Sequence, residues 1–214
     1  MSFFSYDSKF SQLMIKLSYS CWLNVLWFAC SIPIFTIGAS TTALYSVTLK
    51  IADDRETNVT KQFFSDFKAN FAQATRLWLI MLAAGIFLIA DLYVCYRIRD
   101  VSAGSAAVMW TLVMAFLIGA LVVYTIVLIH IFPLTASVVN TDKEMIKNSF
   151  LIGTRYLFVT ITVFVIHVIM FLAVVFVFTP LVIFGEGLCA MISSFFLLNV
   201  IRLCSYDPEE ENGK

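Results

Sequence analysis

Apolar side chains fall along this chain in long blocks rather than in the alternation of strands or the narrow stripes of surface helices. Four blocks run from about Leu77 to Tyr96, Ala106 to Phe132, Tyr156 to Phe178 and Leu188 to Leu203, with hardly a charge among them. About 20 residues, rising about 1.5 Å each, cross a hydrocarbon layer of roughly 30 Å, so each block predicts a membrane helix. Helices satisfy their own backbone polar groups in lipid, and no closed-barrel alternation is visible.

A fifth segment, Tyr19 to Lys50, is less regular. Its apolar start carries Trp22, Asn24 and Trp27, then meets Ser31-Ile32-Pro33 and Thr36-Ile37-Gly38-Ala39-Ser40-Thr41-Thr42-Ala43. Pro33 removes a helix hydrogen bond and Gly38 loosens the backbone, which predicts a break near Pro33. Read as one broken crossing over 19–50, it brings the count to five. Read as a hairpin that enters and returns, its second arm is short and polar for a full crossing.

Polar connectors separate these blocks. From Asp53 to Thr75, Phe63, Phe64, Phe67 and Phe71 recur at helical spacing beside Lys61, Asp66, Lys68 and Asn70, the pattern of an amphipathic helix lying in the interface. Asn140 to Arg155 is similar, and Phe3 to Leu17 is a third such stretch. These helices either anchor the bundle or present a docking surface. The fold class is therefore all-α: a polytopic transmembrane helix bundle of about five crossings plus amphipathic interfacial helices. Residues 1–205 are expected to form a single integral membrane domain and 206–214 an acidic disordered tail.

Composition strengthens this reading. The 214 residues are 61% hydrophobic and only 13% charged, against roughly 45–50% and about 25% in a soluble domain. Lys and Arg balance Asp and Glu at 14 each, which gives no basic excess for nucleic acid. Cys21, Cys30, Cys95, Cys189 and Cys204 are scattered without metal-ligand or CxxC spacing and are read as reduced thiols. The start of the chain lacks the pattern of a cleaved signal peptide, so the first membrane helix is expected to act as its own signal.

Charge also sets the expected orientation, because Lys and Arg are retained on the cytoplasmic side. With five crossings, Lys50, Arg55, Lys61, Lys68, Arg76, Lys143, Lys147, Arg155, Arg202 and Lys214 share one side, against Lys9, Lys16, Arg97 and Arg99 on the other. The C-terminus is then cytoplasmic. In the hairpin reading Lys9 and Lys16 join the larger group.

The run Asn24-Val25-Leu26-Trp27-Phe28, followed by Ile32-Pro33-Ile34-Phe35-Thr36-Ile37-Gly38-Ala39-Ser40-Thr41-Thr42-Ala43-Leu44-Tyr45, resembles the signature of the YesL-like bacterial membrane proteins. Phe63 to Ala74, with its F-x-x-x-F-K-x-N-F-x-Q spacing that includes Lys68, Asn70 and Gln73, and Ile131-Phe132-Pro133-Leu134 extend the resemblance over nearly the whole chain. The acidic residue that often follows the family's F-P-L element has no counterpart in Thr135-Ala136-Ser137. The family is a domain of unknown function. Its members are often encoded near ABC-type carbohydrate importers, so the resemblance implies an accessory role in carbohydrate uptake, with importer permease subunits as partners.

Chemistry inside a membrane is carried by its few polar groups, since an ionisable side chain there costs about 2.5–3.5 kcal/mol on insertion scales. Asp91 either reaches interfacial water and Arg97 or faces a cavity. His130 falls at the end of the third block, and His167 lies deep in the fourth, where it either bonds a neighbouring backbone carbonyl or relays protons. Asn24, Pro33, Thr36, Gly38, Ser40, Thr42 and Tyr45 gather polar groups around a backbone break, as solute sites of transporters do. Packing explains them more readily: Ala39 and Ala43, like Ala115 and Gly119, are small residues four apart that let helices approach, and Ser and Thr bond across helices. Phe63, Phe67, Lys68, Asn70, Phe71 and Gln73 are the partner-facing candidates on the connector. No catalytic motif, cofactor loop or metal-ligand spacing occurs, so no enzyme is expected. A small-solute transporter or channel, and a membrane sensor or scaffold, are the alternatives to the accessory role.

Overall fold

A computed structural model of the protein describes residues 9–55, 58–177 and 182–205. Among these there are seven α-helices: α1 (Lys9–Ser31), α2 (Ile37–Ala52), α3 (Val59–Val101), α4 (Ser105–Ser137), α5 (Asp142–Arg155), α6 (Leu157–Phe176) and α7 (Val182–Ser205). Five helical segments are long and apolar enough to cross a membrane: Ile34–Ala52, Val59–Val101, Ser105–Ser137, Leu157–Phe176 and Gly185–Leu203. The chain is an all-α, multi-pass membrane protein.

The segment 19–50 is not one broken crossing but a hairpin. α1 ends at Ser31, a single 3-10 turn spans Ile34–Thr36, and α2 runs back along α1. Ser31 and Ser40 hydroxyls lie 2.6 Å apart, Trp27 Nε1 donates to Thr41 Oγ1 at 3.0 Å, and Lys16 reaches Asp54 at 2.7 Å. Those pairings fix the two helices antiparallel. Reversal frees carbonyls at the end of α1, and Thr36 Oγ1 sits 2.6 Å from both the Cys30 and Pro33 carbonyl oxygens. A hydroxyl thus covers acceptors that lipid would leave bare.

Gly38 does not loosen the backbone as expected, since it lies in the regular first turn of α2. Its missing side chain is what matters. A Cβ there would stand 2.5 Å from both the Ala74 carbonyl oxygen and Trp78 Cβ, so only glycine lets α2 and α3 come this close.

The expected connector 53–75 and the second apolar block are one helix, α3, of 43 residues or about 65 Å. Asn58 caps it by accepting from the Lys61 N–H at 3.1 Å, and no proline interrupts it afterwards. Its first half lies against α2, with Ser46 donating to Asp66 at 2.6 Å and Trp78 Nε1 donating to the Ile34 carbonyl at 2.8 Å. Its second half pairs with α4 after a turn at Gly104, whose φ of +62° suits glycine. Tyr124 of α4 donates to the Met81 carbonyl at 3.1 Å.

α5 begins with a capping box of Thr141 and Glu144. α7 closes the bundle, running antiparallel to α1 and parallel to α2, where Thr48 and Ser194 hydroxyls meet at 2.8 Å. Arg202 near its end pairs with Asp53. The interfacial helix expected over 3–17 is, from Lys9 onward, simply the start of α1. Residues 3–8 and the acidic tail 206–214 lie outside the described residues.

Candidate functional site

α2 turns Ile37, Thr41 and Tyr45, four residues apart, toward one hollow. α4 supplies Thr125, Leu128, Ile129 and Phe132, α6 supplies Val163, Phe164 and His167, and single residues come from α1 (Trp27), α3 (Trp78) and α7 (Glu186). The half-open cavity they line measures about 340 Å³, near the lower end for a small-molecule site. His167 and Glu186 face each other there, with Nε2 3.9 Å from Oε1.

Each partner is positioned by its own helix. His167 Nδ1 lies 2.8 Å from the Val163 carbonyl, one turn back. A carbonyl only accepts, so Nδ1 carries a proton, and that bond aims the ring's Nε2 at Glu186. Glu186 stands between Gly185 and Gly187. A Cβ at Gly185 would press on Met170 of α6, and one at Gly187 would run into the Ser20 carbonyl of α1. Small residues on both sides therefore let α7 reach α6 and α1 together, which delivers the carboxylate to the imidazole. Asn24 Oδ1 locks the approach by accepting from the Gly187 N–H at 2.7 Å.

Of the residues singled out around the break, Tyr45 alone lines this cavity. Asn24 joins α1 to α7, Thr36 caps the break, and Pro33 is exposed in it. Ser40 bonds Ser31 and its own helix, Gly38 seats α3, and Thr42 is wholly buried with its hydroxyl unpaired. Ala39 and Ala43 are buried, whereas Ala115 and Gly119 face outward and a Cβ on Gly119 would touch nothing.

The connector residues divide in two. Phe63, Phe67 and Phe71 form a ladder of rings 5.5–6.4 Å apart, buried at Phe63 and open at Phe71. Lys68 is exposed, Asn70 bonds back to the Asp66 carbonyl, and Gln73 donates to the Asn140 carbonyl and Asp142, tying α3 to α5.

The intramembrane candidates also separate. Asp91 lies half-buried toward the far end of α3. His130 is buried with Nδ1 3.0 Å from the Ile126 carbonyl and Nε2 3.5 Å from the Thr160 hydroxyl, away from the cavity. Only His167 belongs to it. Among the described residues no three His, Cys, Asp or Glu side chains gather as metal ligands. Glu186 was overlooked in the sequence because the last apolar block was counted from Leu188. The Gly-Glu-Gly at its edge reads as a turn, although it is also the small-residue pattern that lets helices touch.

Residues 21–92 match the family described as a protein of unknown function, DUF624. The DUF624 match spans about a third of the chain: the latter part of α1 from Cys21, all of α2 and most of α3 as far as Leu92, and it includes the segments Asn24 to Tyr45 and Phe63 to Ala74. Its description names no activity. No curated protein and no solved structure matches the chain. The DUF624 segment supplies Trp27, Thr41, Tyr45 and Trp78 to the cavity, while Glu186 and His167 come from beyond it.

Proposed function

We propose that the chain is a non-catalytic membrane protein that holds a small polar solute in the cavity between α2, α4, α6 and α7, as a transporter or channel does. One observation carries this: a carboxyl group and an imidazole meet, 3.9 Å apart, at a hollow between helices whose other lining side chains are uncharged. Ionisable groups at membrane depth are expensive and are retained where they line a substrate or ion path. The cavity borders the α1–α2 break, where freed backbone and hydroxyl groups cluster. The charged end formed by Lys16, Lys50, Arg55 and Arg202 is assigned to the cytoplasm by the positive-inside rule, which places both the start of α1 and the end of α7 there.

Small molecules extracted from gently purified wild-type protein, compared by mass spectrometry with those from Glu186→Gln, test the reading. A solute present in the first and depleted in the second is the expected result. Identical extracts, together with no flux of sugars, amines or protons into proteoliposomes, would overturn it.

A second reading, an accessory subunit of a carbohydrate ABC importer, draws on the surface of α3 and α5. Lys61, Lys68, Lys143 and Lys147 are exposed there beside Phe64, Phe71, Phe150 and Leu151, a mixed polar and apolar face of the kind that docks a partner. Copurification of importer permease subunits, abolished by charge reversal at Lys68 and Lys147, is the outcome this reading requires.

A further inference from the structure

The geometry points to a small organic cation, an amine or quaternary ammonium, as the guest of the Glu186 cavity, an inference that rests on reading this cavity as a solute site. The wall offers acceptors and ring faces, while its N–H donors are used up. Trp27 Nε1–H is given to Thr41 Oγ1 at 3.0 Å, Trp78 Nε1–H to the Ile34 carbonyl at 2.8 Å, and His167 Nδ1–H to the Val163 carbonyl at 2.8 Å. The Thr125 hydroxyl is likewise donated to the Leu121 carbonyl at 2.9 Å. What remains toward the hollow is the Glu186 carboxyl group, His167 Nε2, the hydroxyls of Thr41 and Tyr45, and the rings of Trp27, Trp78, Phe132 and Phe164. Among the described residues no lysine or arginine lines it.

An anion would find no lysine, arginine or free indole N–H in the described wall and would have to sit beside the Glu186 carboxyl group. A sugar needs donors and acceptors in alternation and would meet mainly acceptors. A cation gains from both parts of the site, through the carboxylate and through the negative ring faces. Without a guest, the facing pair balances its charge by holding one proton, on Glu186 or on His167 Nε2. A cation seated beside the Glu186 carboxylate replaces that proton, which leaves to solvent, so one cation enters as one proton departs and the net charge in the cavity is unchanged. The other titratable groups near Glu186 are Tyr45 of α2 and Cys189 on its own helix; the walls from α1, α3 and α4 contribute none.

The test is calorimetric titration of the full-length protein in nanodiscs with choline and with 3,3-dimethylbutan-1-ol, which has the same shape with carbon in place of the charged nitrogen. Choline is expected to bind at least about tenfold more tightly than the alcohol, about 1.4 kcal/mol, and to release protons, so that the measured heat depends on the ionisation enthalpy of the buffer. Glu186→Gln, which keeps the side-chain shape, loses the preference for choline, and Asp91→Asn, a carboxylate away from the cavity, keeps it. Thermal unfolding of Glu186→Gln alongside wild type confirms that the variant is folded. Equal binding of choline and the alcohol, or choline binding undiminished in folded Glu186→Gln, overturns the cation assignment while leaving the cavity as a site for a neutral solute. Binding of neither probe, with no solute recovered from the wild-type protein, overturns both.

Discussion

α2 and α4 both carry spans long and apolar enough to cross a membrane, yet they are built on opposite rules. In the segment of α2 with its preceding turn, 78% of the most apolar stretch is buried inside the protein; in α4 the share is 6%, and in α3 it is 17%. The buried helix is the more polar one. α2 packs Ser40, Thr41, Thr42, Ser46 and Thr48 against its neighbours, while α4 turns Val108, Leu112, Phe116 and Val122 outward. A water-soluble domain would reverse this. In lipid an apolar surface has no reason to hide, so helices associate through small residues and hydroxyl hydrogen bonds, and the polar face goes inside.

The most severe test of that contrast is a charge on the outward face. Phe116 is 77% exposed on α4, and Phe116→Asp is expected to cost about 3 kcal/mol of insertion free energy, read as loss of membrane-integrated protein. Phe116→Leu should change stability by less than about 0.5 kcal/mol. Equal tolerance of both would mean that this face meets water and not lipid.

A smaller effect separates the glycines. Gly38→Leu forces atoms into the Ala74 carbonyl and Trp78 and is expected to cost about 1–3 kcal/mol or more, whereas Gly119→Leu meets open space and should leave the thermal midpoint in detergent unchanged. A comparable loss at Gly119 would show that α4 has a packing partner outside this chain.

The smallest effect lies outside the apolar core, where α3 meets α5. The Arg76 guanidinium hydrogen-bonded to Asp142 holds that carboxyl below its usual range; partial burial opposes this and Gln73 adds to it. A depressed folded-state value stabilises the protein above the ordinary carboxylate range and ceases to do so as pH falls through the folded-state value. Asp142→Asn should therefore remove a modest acid-side decline in thermal stability between neutral pH and the low end of the carboxylate range. An unchanged pH profile would show that the pair contributes nothing.

The two regions were not equally legible in the sequence. The lipid-facing helices declare themselves through composition: a block such as Ala106 to Phe132 has to meet lipid wherever its neighbours stand. α2 is harder to read, because Thr41, Thr42 and Thr48 lower its apolarity without saying whether they face water, a ligand or another helix. The same ambiguity made Tyr19 to Lys50 readable as one crossing or two arms. Gly38 was noticed, but as a flexible joint, since a sequence does not show which carbonyl lies beside it.

Sequence by itself therefore determined the class of protein, the apolar spans, the break near Pro33 and the polar stretch of α3, all properties of short windows in which each residue's own solvation or backbone preference decides. Tertiary structure alone decided that the break reverses the chain, that α3 is one helix through both connector and membrane, and that Glu186 meets His167. The reason is distance along the chain: Lys16 with Asp54, in the turn after α2, Asn24 with Gly187 and His167 with Glu186 are contacts between different elements. Two of them depend on the close approach that Gly185 and Gly187 allow α7, and a sequence window does not show which helix comes to lie beside those glycines.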